Sequence, residues 1–122
     1  MKIIGFNFTK ISAEKKESKP DESLNLKTNI NISEISEIKS DVFKTKESLI
    51  KIKFDYSINY SPTYAEISFS GNIVLSIDNK ISKNILKEWE NKKISQEIKS
   101  PLFNLILKKC NIKALNLEDE MN

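Results

Sequence analysis

Ile50-Lys51-Ile52-Lys53-Phe54-Asp55-Tyr56-Ser57-Ile58-Asn59-Tyr60 is followed, after Ser61-Pro62-Thr63-Tyr64, by Ala65-Glu66-Ile67-Ser68-Phe69-Ser70-Gly71-Asn72-Ile73-Val74-Leu75-Ser76-Ile77. Apolar residues alternate with mostly polar ones through both runs. A period of two sends alternate side chains to opposite faces of a sheet. One apolar face and one largely polar face is the antiparallel pattern. The link of about three residues is too short for a parallel crossover, so residues 49 to 77 read as a hairpin.

Towards the N-terminus, Ile4, Phe6 and Phe8 alternate with Gly5, Asn7 and Thr9, giving a strand that runs towards Glu14. Ile11 falls on the opposite phase, which points to a bulge or twist near Lys10. Residues 15 to 23 are polar, with Pro20-Asp21 as a turn signal. Leu24, Leu26, Thr28, Ile30 and Ile32 then alternate with Asn25, Lys27, Asn29 and Asn31 as a further strand. Beyond it, Ile32, Ile35 and Ile38 are three apart, and the strand pattern fails. Residues 34 to 47 read as an irregular connection, with Val42-Phe43 tucked onto the core. Gly71, inside the last strand, marks a bulge or a close approach by a helix.

Past the hairpin, Ile81, Ile85, Leu86 and Trp89 fall at helical spacing, with Asp78 or Asn79 placed to cap the helix. Ser100-Pro101 reads as a second helix start with Pro at its first position. Leu102, Phe103, Leu105, Ile106 and Leu107 carry that helix to Lys108-Lys109, and Asn111 can end it. Residues 112 to 122 read as a tail whose Leu115 and Leu117 pack back. The order β-β-β-β-α-α predicts one α+β domain over residues 1–122, a four-stranded antiparallel sheet followed by two C-terminal helices packed on one face.

Composition excludes more than it suggests. The 122 residues carry a net charge of +3, and all 20 basic residues are Lys. Without His, the commonest general base and metal ligand is missing. Cys110 stands alone, so it can form no internal disulfide, has no His to activate it, and reads as a small buried hydrophobe. No Cys/His zinc site can be built within one chain. Without Arg, the bidentate fork for guanine and phosphate is missing. Gly5 and Gly71 are the only glycines, so there is no phosphate-binding loop. No catalytic residue, metal ligand or cofactor is therefore expected, and an enzyme is the least favoured class.

The positive excess lies entirely in residues 79 to 122, which hold 9 Lys against 6 Asp or Glu. Spread over two helices, so small a surplus reads as a solvated face rather than a nucleic-acid footprint. No run of 18 apolar residues occurs, so no membrane insertion is expected. Met1-Lys2-Ile3-Ile4-Gly5 has no apolar signal-peptide core behind it, which makes the cytoplasm the expected compartment.

Three stretches carry a family resemblance. Phe8-Thr9-Lys10-Ile11-Ser12-Ala13-Glu14 resembles the first-strand segment of the SecB-like protein-export chaperones and their archaeal relatives. Leu26 to Ile32 resembles their second strand. Ala114-Leu115-Asn116-Leu117 resembles the short Leu-Asn-Leu segment that follows their final helix. The resemblance implies an ATP-independent holdase that binds extended, non-native polypeptides, including precursors for export, and assembles as a dimer of dimers. The chain departs from the family in two ways. It is slightly basic where bacterial SecB presents an acidic surface to the translocation motor, so that docking does not carry over. Glu118-Asp119-Glu120 stands where relatives have a proline-containing tail.

A holdase needs apolar grooves and unpaired sheet edges rather than a catalytic set. Tyr56, Tyr60 and Tyr64 around the hairpin end, and Trp89 on the first helix, are the candidate peptide-binding residues, since such side chains suit wet apolar grooves. The alternative for all four is partial burial in the core. Two other functions remain open. Aromatics and Lys on a sheet could stack single-stranded nucleic acid without sequence preference. A structural homo-oligomerisation domain, dimeric or tetrameric, would bind neither client.

Overall fold

The computed structural model describes residues 2–15, 25–38, 47–61 and 65–121. It is an α+β fold. Strands β1 (Lys2–Lys15), β2 (Asn25–Ile38), β3 (Glu47–Ser61) and β4 (Ala65–Asp78) precede helices α1 (Asn79–Glu90) and α2 (Gln96–Met121). The sheet is antiparallel with strand order β1-β4-β3-β2, so β1 and β2 form its edges. The β3–β4 hairpin lies at its centre, where both strands find partners on both sides. Their apolar phase supplies most of the core: Ile50, Ile52, Phe54, Tyr56, Ile58, Ile67, Phe69, Ile73, Leu75 and Ile77 are all buried.

Bulges set the phase of both edge strands. In β1 the register shifts between Phe8 and Lys10, where the sequence predicts a bulge, and also between Ile3 and Gly5. The first shift brings Ile11 opposite Phe69, on the core side. The second leaves Ile4 exposed and puts Ile3 opposite Leu75 instead. In β2 the shift lies between Ile32 and Glu34. It corrects the reading of an irregular connection from residue 34. The spacing of three from Ile32 to Ile35 is a strand with one extra residue, Ser33, and Ile35 returns to the core opposite Ile52. Val42-Phe43 lies outside the described residues.

Gly71 answers to a close approach, but from neighbouring strands rather than a helix. A Cβ there would collide with the Asn7 carbonyl oxygen of β1 and lie 2.7 Å from the Phe54 ring of β3. The missing side chain lets Phe54 reach across β4 to Phe6, with ring centroids 5.2 Å apart. A second aromatic path runs from Phe8 through Phe69, at 5.3 Å, to Tyr56, at 5.8 Å. Aromatic pairs at these distances add to the burial energy, and here they tie edge strand β1 to the centre.

Asp78 caps α1: its Oδ1 accepts from the Lys80 amide at 2.8 Å, an arrangement that contributes about 1 kcal/mol. Ser82 and Ile85 face the sheet, with Leu86 and Trp89 half-buried beside them, whereas Ile81 turns out to solvent. α1 lies against β2, β3 and β4.

The second helix differs most from the sequence reading. It begins at Gln96 rather than at Ser100-Pro101, and neither Pro101 nor Asn111 stops it. Pro101 falls in the second turn, where the lost hydrogen bond is the one to the carbonyl of residue 97. Leu102, Ile106, Cys110 and Ala114, four apart, form its buried stripe. Residues 112–121 are therefore helix, not tail. Ala114 is buried, Leu117 is half-buried, and Leu115 is 61% exposed instead of packing back.

Candidate functional site: a groove at the edge of the sheet

Among the described residues β2 is paired on one side only, and this open edge, the end of α1 and the start of α2 enclose a groove of about 560 Å³. Ile30, Asn31, Ile32 and Ser33 line it from β2, at the bulge. Trp89 enters from the last turn of α1, Lys92 and Ile94 from the α1–α2 corner, and Lys99 and Phe103 from α2. Two aromatic rings and three isoleucines thus meet a strand that is hydrogen-bonded on one side, by β3. Among the described residues its lining is apolar, amide, hydroxyl and ammonium, without a carboxylate, thiol or imidazole.

The α1–α2 corner aims the cations. The Lys92 amide donates to the Trp89 carbonyl at 2.8 Å, and the Lys93 amide to the Glu88 carbonyl at 3.1 Å. This is the Schellman pattern, in which the residue after the helix cap adopts the left-handed conformation. Glycine usually occupies that position. Here it is Lys92, with φ 56°, alone among the described non-glycine residues in having positive φ. The left-handed backbone costs a non-glycine residue about 1 kcal/mol. Lys92 Nζ then sits 4.7 Å from the centroid of the Trp89 ring. Lys99 Nζ lies 5.3 Å from that of Phe103. Each aromatic ring of the groove carries one ammonium group over it.

The four aromatic candidates separate. Trp89 lines the groove. Tyr56 does not: it is buried to 1% exposure, and its hydroxyl donates to Asn111 Oδ1 at 2.6 Å. Tyr60 belongs to β3, but its side chain lies outside the description, and Tyr64 lies outside the described residues altogether. Phe103 was readable only as part of an apolar helix. Lys92 and Lys99 had no sequence signal, because without a glycine nothing marks the turn that positions Lys92.

Cys110, inside α2, has no exposed surface, and burial pushes its thiol up to about 12. It stays protonated at neutral pH and is a poor nucleophile. Among the described residues, no group of His, Cys, Asp or Glu could hold a metal ion, and no helix is long and apolar enough to cross a membrane. A second hollow, of about 410 Å³, crosses the opposite face of the sheet between Thr9, Lys51, Lys53, Asp55, Ser70 and Asn72. Its groups partly satisfy one another, since the Ser70 hydroxyl donates to Asp55 at 2.7 Å.

No protein-family model matches this chain, and no curated protein matches it. Among solved structures, it is similar to a SecB-like chaperone of Mycobacterium tuberculosis in complex with a peptide from an antitoxin. The match has 14% identity and a TM-score of 0.38, and covers 64% of this chain and 55% of the other. The chain thus spans about half the length of that chaperone, and a match of this score carries neither residue roles nor partners across.

Proposed function

We propose that this protein is an ATP-independent holdase that binds extended, non-native polypeptide, such as unfolded or precursor proteins, in the groove beside β2. One juxtaposition carries the proposal: the open edge of β2 runs beside Trp89 and Phe103. A client backbone can hydrogen-bond to the edge while its side chains enter the apolar groove, the usual mode of strand addition. The order of four antiparallel strands and two helices is also the one that the resemblance to SecB-like chaperones leads one to expect.

Self-association belongs to the same proposal. Ile3 and Ile11 of β1 stand on the core side of the sheet yet remain nearly half exposed, and Ile4 is exposed beside them. An apolar edge strand of this kind is a template for pairing unless another chain covers it. A dimer through β1 would leave β2 and its groove on the far edge of each subunit.

Single-stranded nucleic acid gains less from this geometry. Phe54, Tyr56 and Phe69 are buried rather than spread as a stacking platform.

The test is light scattering of a refolding client, without nucleotide, at near-stoichiometric protein. Aggregation is expected to be suppressed, and less so by Phe103→Ala with an unchanged circular dichroism spectrum. A strictly monomeric protein that leaves aggregation unchanged at several-fold excess would overturn the holdase and leave a structural domain.

A further inference from the structure

We infer that the groove selects extended segments in which apolar side chains are flanked by carboxylates, and that Lys92 and Lys99 make the selection. The inference rests on the groove being a polypeptide site, as proposed above. Of its nine lining residues, two are cations and none is an anion. Each ammonium lies over an aromatic ring that an apolar client side chain would contact, Lys92 over Trp89 and Lys99 over Phe103. Among the described residues the one ion pair is Lys53 with Glu34, so neither groove lysine has a carboxylate partner there. An incoming apolar side chain displaces the ammonium from the ring face. The ammonium then needs a new partner close by, and a carboxylate next to the apolar side chain supplies it. A client lysine at the same place would meet like charges instead.

The backbone at Lys92 points the same way. Its left-handed conformation is one that glycine adopts without strain. Strain kept at a ligand clamp is a reason to ask what the side chain does there. What it does is hold a charge over Trp89. Replacement by glycine removes the charge and relieves the backbone together, so it separates function from folding.

The chain has a single tryptophan, so its fluorescence reports on the groove directly. The probes are short, tryptophan-free peptides that alternate Phe or Ile with Glu, and the same peptides with Gln or Lys in place of Glu. At low salt the Glu peptide is expected to bind about three- to tenfold more tightly than the Gln peptide, as one or two partly exposed ion pairs allow. The Lys peptide should bind most weakly. The preference should shrink towards one as salt screens it. In the Lys92→Gly, Lys99→Gln double variant the Glu-to-Gln ratio should fall close to one, while thermal stability is unchanged or raised. Equal binding of Glu and Gln peptides to the natural protein overturns the charge selection and leaves the holdase standing. A preference that survives in the double variant overturns the role of these two lysines. Failure of every peptide to bind overturns the groove as a polypeptide site, and the selection with it.

Discussion

The Tyr56 hydroxyl donates to Oδ1 of Asn111 across 2.6 Å, joining the central strand β3 to the middle of α2 over 55 positions of sequence. It accounts for two features at once. A tyrosine can be buried because its polar tip finds a partner. An asparagine can sit inside a helix because its side chain bonds elsewhere instead of competing for its own backbone.

Tyr56→Phe keeps the ring against Phe69 and removes this bond. Stability should fall by about 1 kcal/mol, the net value of an intramolecular hydrogen bond. Urea denaturation is the measurement, and a lower midpoint with an unchanged slope is the expected result.

The two glycines should respond in opposite directions. Gly71→Ala drives a methyl group into the Asn7 carbonyl and the Phe54 ring. Backbone cannot move aside as a flexible side-chain end can, so a loss of about 1–3 kcal/mol or more is expected. A Cβ at Gly5 meets nothing within 4 Å, and its φ is not positive. Gly5→Ala should therefore stabilise by about 0.4–1 kcal/mol through the unfolded chain. Equal midpoints for the two variants would contradict the packing around Gly71.

Cys110 should resist thiol reagents in the folded protein and react once urea unfolds it. Its folded value, raised by burial, is about 12 against 9.0 for the exposed thiol. Below pH 9 both states keep the proton, and the thiol's contribution to stability is complete. Between pH 9 and 12 the unfolded chain releases the proton and the folded chain does not, so that contribution declines as pH rises. Cys110→Ala should lose stability less steeply over this window, and should leave the proposed holdase activity intact. Denaturant midpoints taken along the pH series give the comparison.

Charge on the partly exposed edge strand β1 should break the proposed self-association. Ile11→Lys places an ammonium on an edge strand, a device by which natural sheets block edge pairing. The sedimentation profile should shift to the monomer, with Trp89 fluorescence unchanged because β1 and β2 are opposite edges. An unchanged oligomer would direct attention to the outward face of α2, where Ile112 and Leu115 are exposed.

Much of the sheet was legible because a strand's two-residue period survives whatever packs on it. Where a bulge intervenes, the period breaks locally. The bulge at Phe8–Lys10 left a trace in the misplaced phase of Ile11. The bulge at Ser33 imitated a helical spacing and hid the last turnings of β2. The second helix was shortened in the reading because Pro101 is a local start signal and Asn111 a local stop signal. Locally they cost helix propensity, but the stripe Leu102, Ile106, Cys110 and Ala114 gains more by burial.

The sequence by itself determined the element order, the antiparallel pairing of β3 with β4, a helix cap at Asp78 or Asn79 and the inertness expected of a lone cysteine. Each depends on neighbours along the chain or on which residue types are present. Tertiary structure alone decided which aromatic is core and which is groove. Tyr56 and Trp89 look alike as amphipathic aromatics, yet one lies under α2 and the other at its margin. It also decided the groove, whose walls come from residues 30–33, 89, 92, 94, 99 and 103. Long-range packing brings these together, and no spacing along a chain encodes a distance through space.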